Sequence, residues 1–180
     1  MSHGASIRGP STTLSRGDIA DGLLDPLAIA ALAVLLLNDH VLKRAAVGTS
    51  WSVVTGKLSD AAGMVFFPVL CVAAIEIGLR VVGRARAPSV GVAVVVAVVV
   101  GAVFAAINVS VVCGTVYATV LGTMQWPFLA AASLVQSKAV PAVLPVAHVV
   151  DPTDAPFAFA AAYVVFQSRR RRQRALSVVS

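Results

Sequence analysis

The stretch VGVAVVVAVVVGAVFAAI, residues 90–107, decides what kind of protein this is. It runs for 18 residues without a charged side chain, and a helix needs roughly 20 apolar residues to cross a hydrocarbon core about 30 Å thick. A soluble domain of 180 residues could bury one such helix, but this chain has several such runs. Of its residues 58% are hydrophobic and 12% charged, about half the charge of an ordinary soluble domain. The predicted fold class is therefore all-α: an integral membrane helical bundle, embedded in a lipid bilayer.

Spans are expected at about 23–42, 58–79, 87–108 and 152–168. Asp25-Pro26 opens the first, since proline is tolerated at a helix start. The last stops at Arg169, Arg170, Arg171, Arg172 and Arg174, which begin a basic cytoplasmic tail over 169–180. Residues 1–20 are polar and rich in Ser, Gly and Thr. They read as a disordered cytoplasmic N-terminus, not a cleavable signal peptide. The net charge of +6 would suggest nucleic acid in a soluble protein. Here basic residues retained on the cytoplasmic side account for it, and no nucleic-acid-binding module is present. Cys71 and Cys113 lack metal-ligand spacing and read as small apolar residues.

Residues 109–150 are apolar enough to span, but Gly114, Gly122, Gln125-Trp126-Pro127, Gln136-Ser137-Lys138, Pro141 and Pro145 interrupt them. Proline removes a backbone donor and restricts the residue before it. A short interfacial or re-entrant helical pair is predicted here rather than a full span. Charge counting agrees. Four spans with both termini cytoplasmic place ten basic residues inside, among them Arg80, Arg84 and Arg86, and four outside. Letting 111–135 span as well gives six inside against eight, or eight against six if the N-terminus is outside. The positive-inside rule prefers the first arrangement, in a bacterial cytoplasmic (inner) membrane. In the third span Ala93, Ala97, Gly101 and Ala105 recur every four residues. They form a small-residue face against which a neighbouring helix can pack closely, and which offers a contact for a homo-oligomer or a membrane partner.

The polar residues become informative once the uncharged lengths are measured. Pro26 to Leu37, Ala61 to Ile75 and Ala155 to Ser168 cover only roughly 18, 22 and 21 Å as α-helix, each short of the hydrocarbon core. In the four-span topology the outer ends are completed by Asn38-Asp39-His40, by Lys57-Leu58-Ser59-Asp60 and by Asp151-Pro152-Thr153-Asp154, with Asn108 and His148 nearby. Four of the eight acids thus fall in one layer. A carboxylate this near hydrocarbon is costly unless paired or wetted, so a polar pocket open to the extracytoplasmic side is expected.

Two readings of that layer stand side by side. Asp39, His40, Asp60, Asp151 and Asp154 offer oxygen and imidazole ligands for a divalent metal. His40 and Asp60 are candidates for acid–base catalysis, and Lys57 for binding a phosphate-bearing lipid or envelope-precursor headgroup. Adjacent residues diverge by about 100° on a helix, so Asp39 and His40 should not both face one ion. The plainer reading is capping and pairing. Asp151 caps a helix that starts at Pro152, with Asp154 returning to it. Ser59 or Asp60 caps the second span, Asp39 pairs with Lys43, and Glu76 pairs with Arg80. No P-loop, G-x-S-x-G or dinucleotide fingerprint is present. A transporter fits less well, because polar residues stop at the outer layer instead of continuing through the membrane's depth.

Asn38-Asp39-His40-Val41-Leu42-Lys43, Thr55-Gly56-Lys57-Leu58-Ser59-Asp60-Ala61-Ala62-Gly63, Gln125-Trp126-Pro127 and Asp151-Pro152-Thr153-Asp154 resemble the landmarks of a family of small bacterial multi-pass membrane proteins. The resemblance implies the membrane assignment and supplies no reaction. A non-enzymatic structural or partner-docking role and a headgroup- or metal-binding site both remain open on the sequence.

Overall fold

The computed structural model describes residues 21–84 and 89–177. Residues 1–20, with Arg8 and Arg16, and Arg86 lie outside the described residues. The described chain is helical with no strand. Among the described residues four helices are long and apolar enough to cross a membrane: α1 (Pro26–Ala46), α2 (Trp51–Val81), α3 (Val90–Val109) and α4 (Val111–Val135). An irregular return segment follows over 138–151, then a 3₁₀ segment (Pro152–Ala162) that continues into α5 (Tyr163–Ser177).

The boundaries follow local chemistry. Asp25 caps α1 by accepting the Leu27 amide at 3.0 Å, with Pro26 in the first helical position. Gly83, at φ +71°, ends α2. The Arg84 amide reaches back to the Leu79 carbonyl and the Gly83 amide to that of Arg80, a left-handed glycine closure. Ser110 is extended. It stops α3 and accepts the Cys113 amide at 3.4 Å to cap α4.

The centre is apolar and drawn from four elements: Ala28 of α1, Val69 and Val72 of α2, Ala93 and Val96 of α3, and Val164 of α5. Helix α2 touches α1, α3, the 3₁₀ segment and α5, while among the described residues α4 packs on no helix but α3. Large apolar side chains point outward along the bundle, Val95 at 62% and Val98 at 64% exposed. In water that surface would be an association hazard; in a bilayer it is the lipid face.

Three expectations are corrected. First, residues 111–135 are one continuous helix through Pro127, not a pair of short ones. A proline inside an apolar helix costs a local hydrogen bond without ending the helix when neighbours re-satisfy the backbone. Gly114 and Gly122 are seats, not breaks. A Cβ on Gly114 would lie 2.9 Å from the His148 ring, and one on Gly122 would overlap the Leu144 carbonyl oxygen. Second, α2 starts at Trp51, so Ser59 and Asp60 lie in a helix interior and cannot cap it. Third, the small-residue face of α3 is occupied within the chain. Ala93 is fully buried, and a Cβ on Gly101 would lie 3.2 Å from the Ala158 carbonyl. The occupant is the 3₁₀ segment, which packs along α3.

The segment expected as the last span, 152–168, opens in this 3₁₀ form and is not among the four candidate helices. The 3₁₀ part rises about 2.0 Å per residue, against 1.5 Å for α-helix. Asp154 to Arg171 therefore covers about 30 Å instead of about 26 Å. Pro156 lies inside it and donates no backbone hydrogen bond there.

Candidate functional site

Two networks meet at one end of the bundle, on two faces of α2. Thr55 and Ser59 are four residues apart and share the face towards α1. Lys57 and Asp60 are three apart and share the face towards the 3₁₀ segment.

On the first face α1 widens into a π turn over Asn38–Leu42, a deformation frequent at polar sites in helices. Asn38 is fully buried. Its amide nitrogen donates to the Thr55 carbonyl and to Ser59 Oγ, both at 2.7 Å. The Ser59 hydroxyl donates to Asp39 Oδ1 at 2.9 Å, and Lys43 Nζ lies 2.8 Å from the same oxygen. Asn38 Oδ1 is buried and unpaired. Asn38→Ala removes both donated bonds and is expected to cost about 1–3 kcal/mol. Equilibrium unfolding in micelles checks this; an unchanged midpoint would show that the α1–α2 contact does not depend on the amide.

On the second face Lys57 Nζ lies 2.6 Å from both Thr153 Oγ1 and Asp154 Oδ1 and 3.6 Å from Asp151 Oδ2. Asp151 caps the 3₁₀ segment, accepting the Thr153 amide at 2.9 Å and its hydroxyl at 2.6 Å. Those two Thr153 bonds, and then Lys57, hold the Asp151 carboxyl below its ordinary range. A depressed carboxylate stabilises the fold above its ordinary pKa and loses that contribution as pH falls through the folded value. Acid below about pH 4 should therefore loosen this cap. Asp60 is half-buried and interacts with Asp154, with Lys43 also within electrostatic reach.

The structure thus gathers Lys57, Asp60, Asp151 and Asp154, and sets Asp39 beside them in a separate pairing with Lys43. Asp154 is engaged by Lys57 and does not fold back as a simple capping acid. His40 is exposed and reaches the first network only electrostatically, through Asp39. His148 is tied elsewhere: its Nε2 lies 3.0 Å from the Ile107 carbonyl oxygen and its ring stands edge-on to Tyr117. Asn108 is buried and donates to the Phe104 carbonyl of its own helix at 3.0 Å. Among the described residues no three Asp, Glu, His or Cys side chains converge as a metal-ligand set.

A second polar layer lies at the opposite end, and sequence reasoning missed it. Arg171 donates through Nη1 and Nη2 to the two oxygens of Glu76, at 3.3 and 3.0 Å. Gln167 Nε2 donates to the Gly22 carbonyl at 2.7 Å, and the Tyr163 hydroxyl donates to Asp25. The expected pair of Glu76 with Arg80 is replaced by this one, and Arg80 is exposed. Arg84, Arg169, Arg170, Arg172 and Arg174 are also exposed. Gln167, a buried amide in an apolar run, was the available signal.

No family model matches the chain, and no curated protein or solved structure matches it either.

Proposed function

We propose that the protein is a non-enzymatic component of a bacterial cytoplasmic membrane, and that its outer polar cluster is a clasp holding the first, second and last crossings together. The observation that carries this is a pair of ion pairs between the same two elements. Lys57–Asp154 and Glu76–Arg171 both join α2 to the 152–177 segment. Lys57 and Glu76 stand about 29 Å apart along α2, close to the thickness of a hydrocarbon core. The crossings are then α1, α2, α3 and residues 152–168, with both termini cytoplasmic beside Arg80, Arg84 and the arginine tail.

Helix α4 is left out of the crossings for a physical reason. Among the described residues, the amides of 139–150 find one backbone partner, Ala118, which accepts from Val146. An irregular segment with open amides is not stable facing hydrocarbon, where each unsatisfied group costs several kcal/mol. A reporter fused after Ser180 should read as cytoplasmic; an extracytoplasmic signal would reject this topology.

Exchanging the charges tests the clasp. Lys57→Asp and Asp154→Lys should each lower accumulation in the membrane, and the double exchange should recover it. Failure of the double variant alone to recover would argue for a site that needs these groups in place. One observation favours a second reading. The layer holds four acids, Asp39, Asp60, Asp151 and Asp154, against two lysines, Lys43 and Lys57, and Asp60 faces Asp154. Facing carboxylates favour a cation or proton between them. A stoichiometric divalent metal in the purified protein would support that version. Headgroup binding by Lys57 gains no support, because its ammonium is engaged by Thr153, Asp154 and Asp151.

A further inference from the structure

Helix α4 and the return segment form one built unit. Gly114, Ala118, Gly122 and Trp126 make a stripe at four-residue spacing. The return chain runs antiparallel over it: His148 and Val150 lie at Gly114, Val146 at Ala118 and Leu144 at Gly122, and Trp126 Nε1 donates to the Pro141 carbonyl at 2.8 Å. The registers match because four helical residues rise about 6 Å and two extended residues about 6.6 Å. The unit is rooted at the polar end, where His148 meets Ile107 and the chain enters Asp151.

This unit makes two opposed demands. The helix carries no charged residue over its 25 positions. The hydroxyls of Thr115, Thr119 and Thr123 donate to carbonyls four residues back and need no water. Val116, Val120 and Met124, on the face turned away from the return segment, are exposed at 58%, 52% and 65%. The helix therefore asks for an apolar surrounding, while the open amides of the return segment ask for a hydrogen-bonding one. A lipid surface supplies both within a few ångströms, and it is continuous with the lipid face of the bundle at the arm's root.

Resting on the four-crossing topology, we propose that α4 and residues 138–150 lie as an arm on the extracytoplasmic bilayer surface. Val116, Val120 and Met124 enter the acyl–headgroup boundary, and the return segment faces headgroups and water, as in interfacial helices. The arm is about 38 Å long. It would cover lipid around the bundle without adding a crossing.

The test uses full-length protein carrying Trp51→Phe, Trp126→Phe and Met124→Trp, so that its one tryptophan lies on the face turned away from the return segment, in phosphatidylcholine–phosphatidylglycerol vesicles brominated at shallow or deep acyl positions. Shallow bromines should quench that tryptophan and deep ones should not. Replacing Val116 and Val120 together by Ser should reduce the shallow quenching. No quenching at either depth would put the arm in water or on another protein and overturn the proposal alone. Deep quenching with the Ser180 reporter still cytoplasmic would also overturn the arm alone. Deep quenching with that reporter extracytoplasmic would overturn the topology with it.

Discussion

Arg171→Met is expected to cost the folded protein about 3–5 kcal/mol, because it strands a carboxylate inside the bundle. The side chains of Arg171 and Glu76 are only 10% and 13% exposed, and two parallel N–H···O bonds join them. Exposed ion pairs contribute little, but removing one partner of an enclosed pair leaves the other without its counter-charge. Arg171→Met with Glu76→Met should recover most of the loss, since an apolar pair of similar volume is often as stable as the buried ions. Equilibrium unfolding of the parent, the two single variants Arg171→Met and Glu76→Met, and the double variant in one detergent gives the coupling directly. A single variant as stable as the parent would remove the inner pair from the proposed clasp.

Gly122→Ala should release the arm while leaving the bundle intact. In an isolated helix the change would be favourable by about 1 kcal/mol. Here the new Cβ would overlap the Leu144 carbonyl, with Leu144 C at 3.0 Å and Pro145 Cα at 3.1 Å. These are backbone atoms, so no side chain can swing aside and the return segment itself must move. Overpacking of this kind costs about 1–3 kcal/mol, which outweighs the propensity gain. Trp126 should become more accessible to acrylamide as its bond to Pro141 fails, and protease should cut more readily near 138–145. Global unfolding should barely change, because among the described residues α4 packs on no helix but α3. An unaltered Trp126 would mean that the return segment yields without detaching.

The helices were legible because a charge-free run of membrane length has few other uses. The crowding of Asp39, Lys57, Asp60, Asp151 and Asp154 at one end was legible from measured span lengths. Its internal order was not. On a helix His40 points about 100° away from Asp39, so the two were not expected to face one ion, and in the structure Asp39 turns to Lys43 and Ser59 while His40 stays exposed. Glu76 had a local partner at Arg80 by spacing, yet it pairs with Arg171, 95 positions away. Only the packing of α5 on α2 makes that choice available. Pro127 reads the same whether a helix breaks or continues. The deciding fact was tertiary: Gly122 and Trp126, just before it, seat and bond the return chain. The repeat at Ala93, Ala97, Gly101 and Ala105 signalled close packing, but a repeat cannot say whether its partner lies in the same chain.

The 3₁₀ winding of Pro152–Ala162 also fixes an angle. A 3₁₀ residue advances about 120° around the axis and an α residue about 100°. Over the eight steps from Asp154 to Ala162, rewinding to α would turn everything beyond by about 160°. Arg171 would then face away from Glu76, even though Asp154 still met Lys57. The two ion pairs therefore select a winding number as well as a length, and Tyr163 at Asp25 and Gln167 at Gly22, which lie beyond the same 3₁₀ turns, select the same one.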